Sequence, residues 1–386
     1  MKREIYLDHH ATTPVDPRVA EKMRPALFEL AANASNPLHA PGRRAAASIE
    51  DARGEIARLV DASSRDVIFT SGATEADNLA LFGLLRGRGG HVITHNMEHD
   101  AVFETLRALE KDGEIELTVL EAGPSALVEP AAIEGALRPN TRLVSIMSVA
   151  NETGAIQPIQ AIGELLVEHD LFFHVDAAQG TGLVPLSMRE AHIDLLSLSS
   201  HKIYGPMGVG ALVANTRARA ELRPILFGGG QEGGLRSGSS PHALILGFGE
   251  AARLMRLEGA EEAKRLRGLR AVLLDRLTEA LAPMARPELL GPALETRHPG
   301  NLLLRIPGVH GATLVSALSP DLIASTGASC ATGKSERRIG RALGLDEAAS
   351  KEVLRLGIGR FNTEEEMRRA AERIRDAATA LRAGQK

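Results

Sequence analysis

Short runs rich in β-branched and apolar residues alternate with segments of helical apolar spacing through the first two thirds of the chain. Residues 66–70 (DVIFT) predict a strand, followed by a Ser-Gly turn and a helix over 75–85. Residues 91–94, 115–120, 142–149, 172–176 and 195–198 predict further strands, with helices over 130–137 and 159–169 between them. Strand and helix taking turns is the signature of a mostly parallel sheet covered by helices, the α/β class. In such folds ligands sit beyond the carboxyl ends of the strands, so polar residues just after strands are the ones to inspect.

The pattern changes near residue 250. Residues 244–282 predict one long, charge-laced helix able to bridge two domains, with Pro283 as its stop. Beyond it, 300–307, 308–318 and 364–381 predict a smaller α+β unit. The expected division is a large domain over 15–257, and a small one built from 1–14 and 258–386. Two Pro/Gly-rich stretches, 227–241 and 324–333, carry reactive or anion-binding residue types and read as functional loops rather than linkers. There is no internal repeat and no low-complexity tract.

Composition narrows the function classes. Lys plus Arg is 45 against 49 Asp plus Glu, a net charge of −4, which argues against a dedicated nucleic-acid or anionic-membrane binder. With 3% aromatic residues and no Trp, few stacking platforms exist for single-stranded nucleic acid. No apolar run approaches the roughly 18 residues of a membrane span, and no long apolar stretch follows Met1-Lys2-Arg3-Glu4, so a signal peptide is not expected. The lone Cys330 excludes an intramolecular disulfide and any multi-cysteine metal site. These features describe a soluble, cytoplasmic, catalytic protein without a metal.

Four segments carry candidate chemistry. Ser71-Gly72-Ala73-Thr74-Glu75 lies between a strand and a helix, where small residues and free helix N–H groups suit an anion; the plain alternative is an N-cap at Thr74. In Phe172-Phe173-His174-Val175-Asp176-Ala177-Ala178-Gln179, an acid closes a buried strand and needs a partner. That acid could serve a pyridinium nitrogen, a metal or a ribose, or cap the next helix. In Ser199-Ser200-His201-Lys202-Ile203-Tyr204-Gly205-Pro206, Lys202 follows an apolar strand. Desolvation there would lower its pKa and suit a Schiff base. Cys330 sits in Ser325-Thr326-Gly327-Ala328-Ser329-Cys330-Ala331-Thr332-Gly333, a small, polar setting that favours a reactive thiol over a buried structural one.

Other motifs are weaker. His95-Asn96-Met97-Glu98-His99 fits a zinc-peptidase pattern that needs both histidines on one helix, yet it directly follows a strand. Gly228–Gly233 fits G-x-G-x-x-G, but 236–241 does not open the helix such a dinucleotide site requires. His9-His10 reads as a turn pair more readily than as a metal pair.

Taken in order, Leu7-Asp8-His9-His10-Ala11-Thr12-Thr13-Pro14, residues 71–78, Met97-Glu98-His99, 149–154, 174–179, 199–206, 236–241 and 355–361 resemble the signatures of the NifS/IscS cysteine desulfurases. These belong to the class V aminotransferase group of pyridoxal phosphate (PLP) enzymes, and the resemblance runs from residue 5 to about 380. It implies a PLP-dependent transferase of fold type I, a homodimer, and conversion of L-cysteine to L-alanine.

The resemblance also implies residue roles. Lys202 would carry PLP, Asp176 would pair with the ring nitrogen, and Gln179 would hydrogen-bond the phenolic oxygen. His99 would stack on the ring and move protons, and Asn151 would contact cofactor and substrate. Ala73, Thr74, Ser199, His201 and Ser239 of the partner subunit would hold the phosphate, and Arg355 would clamp the substrate carboxylate bidentately. Cys330 would attack the substrate sulfur and keep it as a persulfide for an acceptor protein in iron–sulfur cluster assembly or thiolation.

Three departures leave that acceptor open. Ser239 stands where the family has Thr, the segment after Cys330 is one residue shorter, and the chain stops at Lys386 without the longer scaffold-docking tail. Rival readings are another PLP lyase or transaminase, such as a selenocysteine lyase, and a sulfur carrier that has lost catalysis.

Overall fold

The structure, a computed structural model, describes residues 4–30, 32–326 and 334–383, with side chains from 338 onward in the last stretch. The N-terminal part runs β1 (Ile5–Tyr6), α1 (Pro17–Phe28), α2 (Ala40–Leu59), β2 (Val67–Thr70), α3 (Ala73–Leu85), β3 (His91–His95), α4 (Asp100–Lys111) and β4 (Glu116–Leu120). The middle holds α5 (Pro130–Ala136), β5 (Thr141–Ser145), α6 (Ile159–Leu166), β6 (Phe172–Asp176), β7 (Leu195–Ser199), β8 (Gly210–Ala214) and α7 (Thr216–Glu221). From α8 (His242–Leu281) the chain continues through β9 (Glu288–Leu289), β10 (Asn301–Arg305), α9 (Gly311–Leu318) and β11 (Leu322–Ile323). It ends with α10 (Lys334–Ala342), α11 (Glu347–Ser350), β12 (Val353–Gly357) and α12 (Glu364–Ala383).

Seven strands form one sheet in the order β2-β8-β7-β6-β5-β3-β4. β8 runs antiparallel to both neighbours, and the other pairings are parallel. Every residue of β2, β3, β6, β7 and β8 is buried, as expected when helices cover both faces of a sheet. One apolar cluster, with Ile93, Val144, Phe173, Val175 and Leu196, packs on one side; a second, with Ile68, Leu79, Val92, Leu143 and Leu195, packs on the other. Successive strand residues divide between these clusters because side chains alternate across a strand.

The sequence-derived elements recur with shifted ends. The strand expected over 142–149 stops at Ser145. Beyond it, Ile146 N–H still donates to His174 O (3.1 Å) and Ser148 N–H to Asp176 O (2.8 Å) before the chain turns at Asn151. β8 has no counterpart among the expected strands; its Gly-Ala-Leu-Val-Ala run is as apolar as a helix segment and too short for periodicity to separate the two. The N-cap of α3 is Gly72, not Thr74, and no side chain caps that helix.

A third core gathers Leu266, Leu273, Leu277, Leu302, Leu304, Leu354 and Leu356 with Ile5 and Leu7 from the start of the chain. It lies against the antiparallel sheet β12-β10-β9 and the parallel pair β1-β11. α8 belongs to both regions: Ile245, Phe248 and Met255 join the large-sheet core, and Leu266 to Leu281 the other. At 40 residues it spans about 60 Å. Where it crosses the loop after β6, a Cβ on Gly259 would lie 2.0 Å from Gly182 O, so the close approach requires glycine there.

Leu273 is fully buried and Leu257, on the same helix, is 58% exposed. Leu273→Ala should cost about 2–5 kcal/mol through lost burial and a residual cavity, whereas Leu257→Ala should stay within about 0.5 kcal/mol. Urea unfolding of the two variants side by side checks this.

Candidate active site

A pocket of about 440 Å³ opens at the carboxyl ends of β6 and β7 and the start of α3. Its walls include Ala73, Thr74, His99, Asn151, Asp176, Gln179, Ser199, His201 and Lys202. The chain thus brings together nine residues picked from five sequence segments. Ser239 is exposed and does not line the pocket of its own chain, Arg355 stands off its wall, and Cys330 lies outside the described residues. A larger cleft of about 740 Å³, bordered by Asp61, Asp66, Phe173, Asp194 and Arg217, gathers the residues that precede or open β6 and β7 and shares no residue with this pocket. Arg217 is already bound there by Asp194 (2.9 Å) and Leu171 O.

Lys202 ends a short helical turn, Ser200–Lys202, that follows β7 directly. The turn is held tight by Gly205, where a Cβ would meet Ser200 Oγ at 2.1 Å. The N-terminal strip lies across it: Thr13 N–H and Oγ1–H donate to His201 O (3.0 and 2.9 Å), and Tyr204 N–H donates to Thr13 Oγ1 (2.8 Å). Lys202 Nζ donates to His10 O and to Ala11 O (3.0 Å). Burial, then the nearby Arg355 guanidinium, lowers its pKa to about 8. At neutral pH this amine therefore gives up a proton far more readily than a surface lysine.

Asp176 closes β6 and accepts from Ala178 N–H (2.8 Å). Burial and then the neighbouring Asp77 carboxyl push its pKa up to about 7, while His99 draws it down. Behind it lies a dry polar layer. His174 bonds Ser145 Oγ through Nδ1 (2.8 Å) and Ser197 Oγ through Nε2 (3.1 Å), and burial lowers its pKa to about 4. Asp77, fully buried, is held well above the usual carboxylate range by desolvation.

His99 caps α4: Ala101 N–H donates to its Nδ1 (3.1 Å). Because that nitrogen accepts, a neutral ring carries its proton on Nε2. His95 closes β3 while His99 caps the next helix, so the H-x-x-E-H pair does not share a helical face. His95 pairs instead with Glu98 (2.8 Å), whose carboxylate also accepts Met147 N–H (2.6 Å). The G-x-G-x-x-G run lies in the loop before α8; it runs into a short 3-10 turn, Glu232–Gly234, and opens no α-helix of its own.

The start of α3 is suited to an anion. Gly72 leaves the first-turn N–H groups without a side-chain cap, and a Cβ there would meet nothing within 4 Å. Glu75, in the first turn, accepts from Ser71 N–H (2.7 Å) and is tied to Arg236 (2.8 Å), which offsets its charge. His201 bonds Thr12 Oγ1 through Nδ1 (3.0 Å), and its pKa falls to about 4 through burial and then Lys202. Gln179 Nε2 lies 2.5 Å from His10 Nδ1, which leaves the buried Gln179 Oε1 without a partner.

Arg355, on β12, reaches toward the same region: Nη1 donates to Glu152 Oε1 (3.0 Å) and Asn151 O (3.3 Å), and Nη2 to Asp8 Oδ1 (3.1 Å). The sequence reading passed over Asp8, His10 and Glu152 as functional groups. Each directly neighbours a residue singled out for another reason, and that adjacency was the available signal.

Residues 5–369 match the family described as aminotransferase class-V. The cysteine desulfurase IscS of Stutzerimonas stutzeri (strain A1501) is 43% identical over 389 residues, covering 99% of this chain and 94% of that protein. The chain belongs to the class-V aminotransferases, in the cysteine desulfurase family. A solved structure described as a NifS-like protein superposes with a TM-score of 0.90 at 31% identity, covering 98% of this chain and 100% of the other. SspA in complex with cysteine gives 0.78 at 31% identity, covering 93% of this chain and 100% of the other.

The family uses pyridoxal phosphate, and the class-V site here fits it. An uncapped helix start suits a phosphate, a buried acid with no ion pair among the described residues suits a protonated ring nitrogen, and a lysine of lowered pKa suits a carbonyl carbon. Gln179 Oε1, buried and without a partner among the described residues, is a further polar atom such a group could satisfy.

In cofactor-free protein the raised Asp176 pKa is a cost of folding. The folded state binds more protons than the unfolded state between the ordinary carboxylate value of 3.8 and about 7, so stability falls as pH rises through that window and levels off above it. Asp176→Asn should therefore stabilise the cofactor-free protein by about 2–4 kcal/mol at pH 8, an advantage that shrinks toward pH 4. Urea midpoints across pH give the test, and a pH-independent difference would refute it.

Proposed function

We propose that this chain is a PLP-dependent cysteine desulfurase that takes sulfur from L-cysteine, releases L-alanine and leaves the sulfur as a persulfide on Cys330. The observation that carries the reading is the desolvated Lys202 amine in one pocket with Asp176, His99 and an uncapped helix start. Lys202 would hold the cofactor's carbonyl carbon, Asp176 its ring nitrogen and Gln179 its phenolic oxygen, with His99 stacked on the ring and Asn151 in contact with cofactor and substrate. Ala73, Thr74, Ser199 and His201 hold the phosphate together with Ser239 of the partner subunit.

When bound, PLP supplies an electron-withdrawing ring that weakens the bonds at the Cα of the substrate and so frees the sulfur on Cβ. The chain's own residues do the rest. Arg355 orients the substrate through its carboxylate, and Asn151 lies beside it. Lys202 and His99, with the proton on Nε2, move protons at the reacting carbons. The Cys330 thiolate bonds the substrate sulfur as the Cβ–S bond breaks; the carbon is reduced and gains a proton, and the sulfur is oxidised to the persulfide level. Cysteine plus enzyme thiol thus balances alanine plus enzyme persulfide. A free thiol, with a pKa of about 8.5, is mostly protonated at pH 7, so a base near it speeds this step.

A homodimer is part of the proposal. Ser239 stands away from its own pocket, and Phe227 in the same loop is 84% exposed, as is Phe28 at 79%; both observations support a second copy packing there. We assign residues 15–257 to the large PLP-binding domain, and 1–14 with 258–386 to the small domain that carries Cys330. Among the described residues no helix is long and apolar enough to cross a membrane; we place the protein in the cytoplasm, passing sulfur to an acceptor protein in iron–sulfur cluster assembly or thiolation.

The PLP-loaded protein should form alanine from L-cysteine in the presence of a thiol reductant, and a persulfide should appear on Cys330 by mass spectrometry before the reductant is added. Cys330→Ser should retain the yellow cofactor and lose at least about a hundredfold in alanine formation, the scale on which loss of a nucleophile acts. Equal alanine from both proteins would replace the persulfide route with a lyase in which sulfur leaves without Cys330.

A further inference from the structure

Arg355 is buried and, in the substrate-free chain, carries the chain's own carboxylates. Its two bonds on the Nη1 side go to Glu152 and to the Asn151 carbonyl, and Asn151 Nδ2–H donates to the same Glu152 Oε1 at 2.9 Å. On the other side, Nη2 donates to Asp8 Oδ1, while the buried Nε has no partner among the described residues. Nε–H and Nη2–H point the same way from a planar guanidinium, and together they form an edge that a carboxylate takes with two parallel bonds. Asp8 takes one bond from Nη2 and none from Nε.

The two acids differ in how much they lose on release. The Glu152 side chain is 7% exposed, and its burial raises its pKa, with Arg355 and Lys202 drawing it back down. Removed from the guanidinium it would be a buried charge without a partner. The Asp8 side chain is 17% exposed and can turn toward water. A third carboxylate cannot join both, because like charges on one guanidinium in a dry site repel.

We propose that Asp8 is a place-holder: it occupies the Nε/Nη2 edge of Arg355 until the α-carboxylate of an L-α-amino acid displaces it by making two bonds, while Glu152 stays in place. The inference rests on reading Arg355 as the substrate-carboxylate clamp. Asp8 then lowers substrate affinity and keeps the guanidinium oriented between turnovers, so removing an acid beside the site tightens binding rather than weakening it.

The test is the affinity of the PLP-loaded protein for L-alanine by calorimetry, with the KM for L-cysteine beside it. Asp8→Asn and Asp8→Ser should each lower the alanine Kd about fivefold, the scale of one partly exposed ion pair, and lower KM with it. Arg355→Lys should raise both by at least about tenfold. In the wild-type protein, the 15N resonance of Arg355 Nε should move on alanine addition, a readout that needs no Asp8 variant to fold. Unchanged or raised Kd in both Asp8 variants, or an Nε signal that stays put, overturns the place-holder while a loss in Arg355→Lys keeps the clamp. An unchanged Kd in Arg355→Lys removes the clamp and the proposal with it.

Discussion

The desolvation of one amine organises this molecule. Lys202 sits at the end of a central strand, but a strand end alone would leave its side chain in water. It is the N-terminal strip, bonded through Thr13 to both sides of the Lys202 turn, that covers it and presents the His10 and Ala11 carbonyls to its nitrogen. The strip can lie there because Ile5 and Leu7 are anchored in a different core from the strand that carries Lys202. Burial of the amine therefore depends on the two cores being held together, which α8 does by contributing apolar residues to both. Fold and reactivity meet in a single constraint: the seam must stay closed enough to keep the lysine dry.

The same dryness sets the remaining charges. Asp176, Asp77 and Glu152 are buried carboxyls whose pKa values are raised by desolvation, against the cations Lys202 and Arg355. Such buried charges carry unfavourable electrostatics that groups of opposite charge beside them would relieve. His174 and His201 stay neutral because burial costs an imidazolium more than their hydroxyl partners return. These two histidines thus serve as fixed hydrogen-bonding groups.

Much of this was legible in the chain because the α/β layout makes local signals and site positions coincide. Asp176 closes an apolar strand that ends where expected, Lys202 follows one that ends a residue later than expected, and the N-cap of the helix after Ser71 is Gly72, with no side chain to block an anion. What escaped was non-local. β8 is antiparallel and enters the sheet between the edge strand β2 and β7, a topology that no local pattern encodes. It matters to the site, since Gly210 at its start packs against Gly72, where a Cβ would come within 2.7 Å of Gly72 Cα. Asp8 and Glu152 escaped for the same reason: they lie 347 and 203 residues from Arg355 in sequence and meet it only in the fold.

That separation also explains why Arg355 stands apart from the pocket wall. It rises from β12, paired with β10 in the smaller antiparallel sheet, whereas Glu152 belongs to the turn after β5 and Asp8 to the N-terminal strip. Three chain segments that share no strand pairing in the large sheet converge on one guanidinium. A bidentate cation needs its plane fixed to within the tolerance of two parallel hydrogen bonds, and a single flanking acid leaves rotation about the bond axis free. Glu152 and the Asn151 carbonyl on one side and Asp8 on the other remove that freedom before any substrate arrives. Orientation is thus built from the protein's own carboxylates, at the cost of having to exchange one of them for the ligand's.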